Sequence, residues 1–332
     1  MSQKTYRIAI IPGDGIGPEV IAAAVAVLKA TKVNFRFEHY EAGDDCRKKQ
    51  GVALPEETLQ GAFEADAVLF GAAGDTAAEV ILRLRRELGT YVNLRPTRAF
   101  PGVPCLYPET NIVIVRENSE CLYRGIENEI SSGVVTAIRV ITATASERIA
   151  RFAFEYAQAS GFSKVTAVHK ANVLKKSDGL FLQSVRAVAQ AYSDIVYDEA
   201  LVDAAAMHLV MHPERFQVIV TTNLFGDILS DLAAGLIGGL GLCPSANLGD
   251  KYALFEPVHG TAPDLAGKGI ANPTAAILCG AMLLRHLKVI DAAQRVETAL
   301  EQAIRAQETT PDLGGVLSTM EMAKAVIQRM EK

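Results

Sequence analysis

Two aspartates, Asp227 and Asp231, stand four residues apart in the stretch VIVTTNLFGDILSD, Val218 to Asp231. On a helix that spacing stacks both carboxylates on one face, about 5–6 Å apart at their bases. Like charges so placed are destabilising unless something positive lies between them. No Lys or Arg falls between Phe225 and Leu242, and a hard divalent ion held by oxygen ligands would meet the need. The plainer alternative is a first-turn Asp227 that favours the helix dipole, with Asp231 merely solvated. Three further polar residues, Arg116, Lys170 and Asp203, each stand directly after an apolar, strand-like run. In open α/β sheets the crevice beyond the carboxyl ends of the strands is the usual ligand site, so these punctuations point to one convergent site. Arg85, Arg95 and Arg116 could clamp carboxylates, which guanidinium binds bidentately. Arg83 and Arg86 read as a solvated helix face. His208 and His212 have zinc-like i, i+4 spacing, but the Glu of HExxH is missing and Pro213 ends the helix, so no zinc site is expected.

The elements that must position these groups alternate. Tyr6–Ile11 is an apolar run ending in Pro-Gly-Asp-Gly-Ile-Gly-Pro, and Glu19–Ala30 is helical with Pro18 suited to its first turn. The glycine loop matches neither GxGxxG nor a P-loop, and a tight turn explains it as well as a ligand does. Ala67–Gly71 reads as a second buried strand and Ala77–Leu88 as a helix. The prolines between Pro96 and Pro108 suggest a crossover and a domain boundary. Asn111–Arg116 is strand-like, Arg139–Thr144 is β-rich, and Ser146 is a candidate cap for a helix over Glu147–Ala159. Lys164–Val168 and Ile195–Val202 read as strands, Asp178–Tyr192 and Ala204–Met211 as helices, with another helix beginning near Phe225. Leu254–Glu256 leads into a loop at His259–Asp264, and helices open at Pro273, near Asp291 and at Thr319. Such alternation predicts an α/β fold with a largely parallel sheet.

The 332 residues suffice for two domains, and 49% hydrophobic with 21% charged residues describes an ordinary globular chain. A net charge of −5 offers no footprint for nucleic acid. Five scattered cysteines without a CxxC suit a reducing compartment. The chain runs almost at once into an apolar strand, leaving no room for a leader peptide, and Leu232–Cys243 falls short of the roughly 20 residues a bilayer requires. A cytoplasmic protein without membrane contact is expected.

PGDGIGPEV, LRPTRAFPG, VRENSE followed by Tyr123, HKANVL, VDAAAM, NLFGDILSDLA and EPVHGTAPDLAGKGIANP occur in that order between about Tyr6 and Gly315. Together they resemble the β-decarboxylating dehydrogenases, the family of isocitrate, 3-isopropylmalate, homoisocitrate and tartrate/D-malate dehydrogenases. The resemblance implies an α/β, two-domain isocitrate/isopropylmalate dehydrogenase-like fold with a central mixed, largely parallel sheet. Residues 1–97 plus 236–332 would form the larger cofactor-binding domain, and 98–235 a central domain carrying the dimer interface. It implies a homodimer with shared active sites in the cleft between domains, a higher oligomer remaining open. Asp227 and Asp231 would bind Mg²⁺ or Mn²⁺ with Asp203 of the partner subunit. Arg85, Arg95 and Arg116 match the substrate-carboxylate arginines, and Tyr123 and Lys170 the catalytic pair, Lys170 also coming from the partner.

The residue types suit oxidation of a 2-hydroxy acid to a ketone followed by loss of the β-carboxylate. A metal would act as Lewis acid, Lys170 would accept the hydroxyl proton, and Tyr123 would protonate the carbon that loses CO₂. Asp264 stands where NAD-dependent members carry an acid for the adenosine ribose, and a carboxylate repels a 2′-phosphate, so NAD is expected. His259, Gly260, Thr261, Ala262 and Asn272 would wrap the adenosine half, and Asn172 is a further expected cofactor contact. In the family resembled, substrate identity rests largely on the helix before the first clamp arginine, here Arg85, where Ile81 and Leu82 offer an alkyl group about 0.8 kcal/mol per buried CH₂ and a γ-carboxylate no partner. That favours 3-isopropylmalate, with homoisocitrate, isocitrate and tartrate/D-malate as alternatives. Ala78 stands where many isopropylmalate enzymes carry Glu, and Cys121 where Gly or Asp is commoner. YVNLRPTRAFPGVPC resembles the tartrate/D-malate enzymes, and AMHLVMHPERF the homoisocitrate ones. From outside the family, a metal-dependent hydrolase or lyase would use the aspartates without nicotinamide.

Overall fold

The computed structural model describes residues 4–331. In chain order its elements begin β1 (Tyr6–Gly13), α1 (Gly17–Ala30), β2 (Phe35–His39), α2 (Asp44–Gln50), α3 (Glu56–Glu64), β3 (Ala67–Ala72) and α4 (Ala77–Glu87). They continue with β4 (Val92–Arg98), β5 (Asn111–Glu117), β6 (Glu127–Ser131), β7 (Val134–Ala137), α5 (Ala143–Ala159), β8 (Lys164–His169) and α6 (Ser177–Ala189). Then follow β9 (Val196–Leu201), α7 (Val202–Met211), β10 (Val218–Thr221), α8 (Asn223–Leu236), β11 (Pro244–Leu248) and β12 (Ala253–Pro257). Three helices close the chain: α9 (Thr274–His286), α10 (Ile290–Arg305) and α11 (Thr319–Met330). No helix among the described residues is long and apolar enough to cross a membrane. Two compact units result. The first runs to Gly89, takes in Ala99–Pro108 and resumes at Ile237; the second holds Thr90–Arg98 and Glu109–Leu236.

In the first unit the strand order is β2-β1-β3-β12-β11, parallel except for the β11–β12 pair. β3 is buried along its whole length (AVLFGA), the continuous apolar run that an interior parallel strand requires. α1 packs over β1 and β3, α9 over β11 and β12, and α10 and α11 pack on these helices. The glycine loop after β1 is a packing device. Gly13 has φ +69°, and a Cβ there would lie 1.8 Å from the Ala72 carbonyl oxygen; one on Gly15 would meet the Thr261 oxygen at 2.1 Å. Asp14 between them is buried, and its carboxylate accepts the backbone N–H groups of Asp44, Asp45 and Gly74. The tight-turn explanation of this loop therefore has a specific cause: three chain segments converge on it.

In the second unit the order is β4-β5-β10-β8-β9, with β4–β5 antiparallel and the rest parallel. α5 packs over β5, β8 and β10, and α8 over β4 and β5. Four sequence expectations change here. Pro96, read as the start of a crossover, lies inside β4 opposite Val113. The Val113 N–H donates to the Gln217 carbonyl oxygen, away from β4, so this is a position at which Pro's missing donor is not needed for the β4–β5 ladder. The β-branched run at Arg139–Thr144 is not a strand; it makes one isolated bridge, Val140 to Cys121, and α5 starts within it at Ala143. Thr142, not Ser146, caps that helix: its hydroxyl accepts from the Ala145 N–H, and the Ser146 hydroxyl donates back to the Thr142 carbonyl oxygen. Asp203 stands just beyond β9 as expected, but in the first turn of α7, which begins at Val202 rather than at Ala204. The hairpin β6–β7, unforeseen in the sequence, is almost wholly exposed.

Candidate active site

Because β5, β10, β8 and β9 are parallel, their carboxyl ends share one edge of the second unit. Arg116 is the penultimate residue of β5, Asn223 opens α8 just after β10, Lys170 follows β8, and Asp203 follows β9. The expected alignment of polar residues at strand ends is therefore present as geometry.

Arg116 is the centre of one group there. Its side chain is 1% exposed. Nη1 donates to Asp227 Oδ1 at 2.5 Å, while Nε and Nη2 both donate to Asn223 Oδ1 at 2.9 and 2.7 Å. Asn223 is oriented in turn by its Nδ2, which donates to the Glu120 carbonyl oxygen. Gly226, one turn before Ser230 on α8, lets the helix lie against the arginine stem: a Cβ there would stand 2.6 Å from Arg116 Cγ. The Tyr123 ring lies 4.8 Å from the guanidinium carbon, a cation–π contact, and its hydroxyl donates to Asp227 Oδ2 at 2.5 Å. Burial, and then the bond to Asp227, push the Tyr123 hydroxyl above its ordinary range, so it stays protonated. Arg95, on β4, reaches Ser230 Oγ at 2.5 Å and lies 3.3 and 3.4 Å from Asp227 and Asp231.

The positive charge between the two aspartates thus comes from arginines on β4 and β5. The lack of a local cation therefore does not by itself demand a metal, since the cation is supplied from distant sequence. Yet the arginines do not neutralise the pair completely. Burial, with the like charge of Asp227, raises the Asp231 carboxyl above its usual range although its side chain is half exposed. An all-oxygen donor set with residual repulsion fits a hard divalent cation. Among the described residues no three His, Cys, Asp or Glu side chains of one chain converge as a metal cage.

Lys170 and Asp203 form a second group, Nζ to Oδ2 at 2.7 Å, and the ammonium holds the exposed Asp203 carboxyl below its usual range. Asn172 is exposed in the turn after β8. The His208 and His212 rings lie 6.5 Å apart, tilted by 43°, and Arg215 lies against the His208 ring; the pair assembles no metal site among the described residues.

In the first unit, Arg85 pairs with Glu256 at 2.6 Å, both side chains at least 90% buried, and Asn247 donates to the same carboxylate. On α4, Ile81 is buried in the core with Val80 and Leu84, whereas Leu82 is half-buried and Ala78 exposed. The alkyl-binding expectation thus falls to Leu82; Ile81 is committed to packing. The loop after β12 carries Ala262 at φ +40°, and the Ile16 N–H donates to the Thr261 carbonyl oxygen, fixing it to the glycine turn. His259 Nε2 is buried without a partner, and burial lowers the proton affinity of its ring, leaving a neutral polar atom for a ligand. Gly260 and Asp264 are exposed. Asn272 is otherwise engaged: its Nδ2 donates to Asp312, and its Oδ1 accepts the Thr274 N–H at the start of α9. The loop fits a dinucleotide through His259 and Asp264 better than through Asn272. Sequence reasoning missed Asn223, Ser230 and Glu256. Glu256 carried a readable signal, a carboxylate in an apolar strand that must find a cation.

Buried arginines beside carboxylates and a protonated tyrosine, at the carboxyl ends of parallel strands, define a site for a small oxygen-rich anion. The chain belongs to the isocitrate/isopropylmalate dehydrogenase family, whose model matches residues 7–326. It is 58% identical over 325 residues to a 3-isopropylmalate dehydrogenase of Archaeoglobus fulgidus, covering 98% of this chain and 99% of that protein. It is 55% identical over 331 residues to a 3-isopropylmalate/3-methylmalate dehydrogenase of Methanocaldococcus jannaschii, with 98% and 99% coverage. Among solved structures, the isocitrate dehydrogenase of Methylococcus capsulatus superposes with a TM-score of 0.95 at 46% identity, over 98% of this chain and all of that one. Membership makes the protein a dehydrogenase.

Proposed function

We propose that the protein carries out NAD-dependent oxidative decarboxylation of a 3-substituted malate, with 3-isopropylmalate preferred, giving 2-oxoisocaproate and CO₂ in leucine biosynthesis. The observation that carries this reading is the Arg95–Arg116–Tyr123–Asp227–Asp231 cluster, which joins carboxylate binders to a protonated acid. Asp227 and Asp231 would hold Mg²⁺ or Mn²⁺, which would supply Lewis-acid polarisation, and the His259–Asp264 loop would hold NAD, which would supply the hydride acceptor. Arg95 and Arg116 orient the malate carboxylates through paired N–H donors. Lys170, in its free-amine form, accepts the proton of the C2 hydroxyl as hydride leaves C2. After the carboxylate β to the new ketone departs as CO₂, Tyr123 delivers its hydroxyl proton to the carbon left behind. Leu82 and Ala78 present no charge to a 3-substituent, which favours isopropyl over a carboxymethyl group. The relatives named for 3-isopropylmalate support the same choice.

Lys170 and Asp203 act, in this reading, in the site of a second copy, making the enzyme a homodimer. Supporting this are exposed apolar side chains that one chain leaves uncovered: Met207, Val210 and Met211 on α7, Ile228 on α8, and Ile130 with Val135 on the β6–β7 hairpin. The test is NADH absorbance at 340 nm with Mg²⁺ and, in turn, 3-isopropylmalate, 3-methylmalate, isocitrate, homoisocitrate, D-malate and tartrate. The highest kcat/KM is expected with 3-isopropylmalate, lost on chelation. A higher value with isocitrate would overturn the substrate, and no NADH from any acid would overturn the reaction.

A further inference from the structure

A buried ion pair outside the cluster reaches toward both proton-handling residues. Asp178, in the first turn of α6, is 0% exposed and pairs with Arg139 Nη1 through Oδ1. Its other oxygen, Oδ2, accepts the backbone N–H of Lys170 at 2.6 Å. The opposite partner, Arg139, spreads its remaining donors over two further segments. Nε donates to Cys121 Sγ at 3.2 Å, and Nη2 donates to Thr222 Oγ1 at 2.9 Å. Cys121 opens the 3-10 turn Leu122–Arg124 that carries Tyr123, and its N–H donates to the carbonyl oxygen of Val140, next to Arg139. Cys121 also has φ +72°, a conformation a side-chain-bearing residue adopts only when its surroundings hold it there. Thr222 immediately precedes α8, which bears Asp227. The guanidinium lies 5.0 Å from the Phe225 ring on the same helix. One guanidinium therefore contacts the lead-in to Tyr123 and the lead-in to Asp227, and through one carboxylate it fixes the backbone at Lys170. A charge pair so deeply desolvated is weak evidence for stability, but its planar donor fork specifies geometry.

We propose that Arg139 and Asp178 are positioning residues that set Tyr123 and Lys170 for proton transfer. This rests on the reading of those two as proton donor and acceptor. Neither Arg139 nor Asp178 touches the substrate; each acts through the segment it holds. The two ends of the pair can be loosened separately. In Arg139→Lys an ammonium keeps the charge facing Asp178 but cannot also serve Cys121 and Thr222, so the Tyr123 side loosens. In Asp178→Asn an oxygen remains for the Lys170 N–H, but the charge that holds Arg139 is gone and both sides loosen.

The experiment measures kcat, KM and the pH profile of kcat for the full-length enzyme, both variants, and Tyr123→Phe and Lys170→Met, with folding followed by circular dichroism. Arg139→Lys is expected to lower kcat about 10-fold with KM within about twofold of the parent, and to displace the pH profile of kcat at one limb. Asp178→Asn is expected to lower kcat about 100-fold with a larger displacement of that profile. Should Asp178→Asn fail to fold, Arg139→Lys alone decides. Folded variants whose pH limbs match the parent, whether kcat holds or falls, would overturn the proposal. Full activity in Tyr123→Phe and Lys170→Met would instead overturn the reading beneath it.

Discussion

Gly226→Ala tests whether the close approach of α8 to Arg116 is functional. An alanine Cβ would stand 2.6 Å from Arg116 Cγ, 2.7 Å from Cβ and 3.2 Å from Cδ. Reaching the 3.4 Å of ordinary contact requires an opening of about 0.8 Å between helix and arginine stem. The stem cannot swing aside, because its guanidinium is held by Asn223 and Asp227 and its backbone belongs to β5. Two terms then compete. Alanine inside a helix is favoured over glycine by about 1 kcal/mol, while overpacking a well-filled core costs about 1–3 kcal/mol. The balance is a net cost of up to about 2 kcal/mol, which at roughly 2.1 cal/mol/K per residue lowers Tm by up to about 3 °C. A displacement near 1 Å at groups that orient substrate lowers rate by about 100-fold, so kcat/KM should fall by that order. Differential scanning calorimetry and steady-state kinetics measure both. A Tm raised by the helix term, with kcat/KM unchanged, would refute the argument that the glycine exists for Arg116.

Asp227→Asn removes an ion partner of Arg116 and half of the carboxylate pair. Turnover should fall by at least about 10³-fold, as loss of Lewis-acid stabilisation worth several kcal/mol requires, while the far-ultraviolet circular dichroism is retained; Mg²⁺-dependent activity near the parent's would count against the mechanism. Asp231 has a folded-state carboxyl pKa raised by burial and Asp227. Its ionisation therefore opposes folding, a penalty absent below the ordinary carboxylate range that grows as pH rises through the raised value. Asp231→Asn in chelator should thus raise Tm slightly at neutral pH, solvent screening keeping the gain small, and leave it unchanged near pH 3; a lower Tm at neutral pH would show the opposite balance.

What the sequence disclosed followed range. The 3.6-residue period of a helix is local, so Asp227 and Asp231 on one face of α8 could be read directly. The partners of those carboxylates could not, because Arg95 and Arg116 arrive from strands more than a hundred residues away. Continuous apolar runs disclosed β3, β5, β8 and β10, whose burial on both faces is what such runs require. The β6–β7 hairpin is exposed on both faces, so no alternation marked it. Arg139–Thr144 misled because β-branched residues favour strands only where a neighbouring strand is available, and here Val140 makes a single bridge. Asn223, at the start of α8, turns its amide to Arg116 and Glu120, partners that lie about a hundred residues away in sequence and leave no local signal.

The pairing of β3 with β12 bears on how the chain is made. About 180 residues separate the end of β3 at Ala72 from the start of β12 at Ala253. At roughly 5–20 residues per second, a ribosome needs on the order of 9–36 s to deliver that partner. During the interval the edge of an apolar strand, AVLFGA, offers unsatisfied amides and carbonyls to any neighbouring nascent chain. Thr90–Leu236, which contains all of the second unit, emerges in the meantime and can fold before the first unit is complete. Slow decoding or crowded polysomes should therefore aggregate this protein through β3, and holdase chaperones should engage it there.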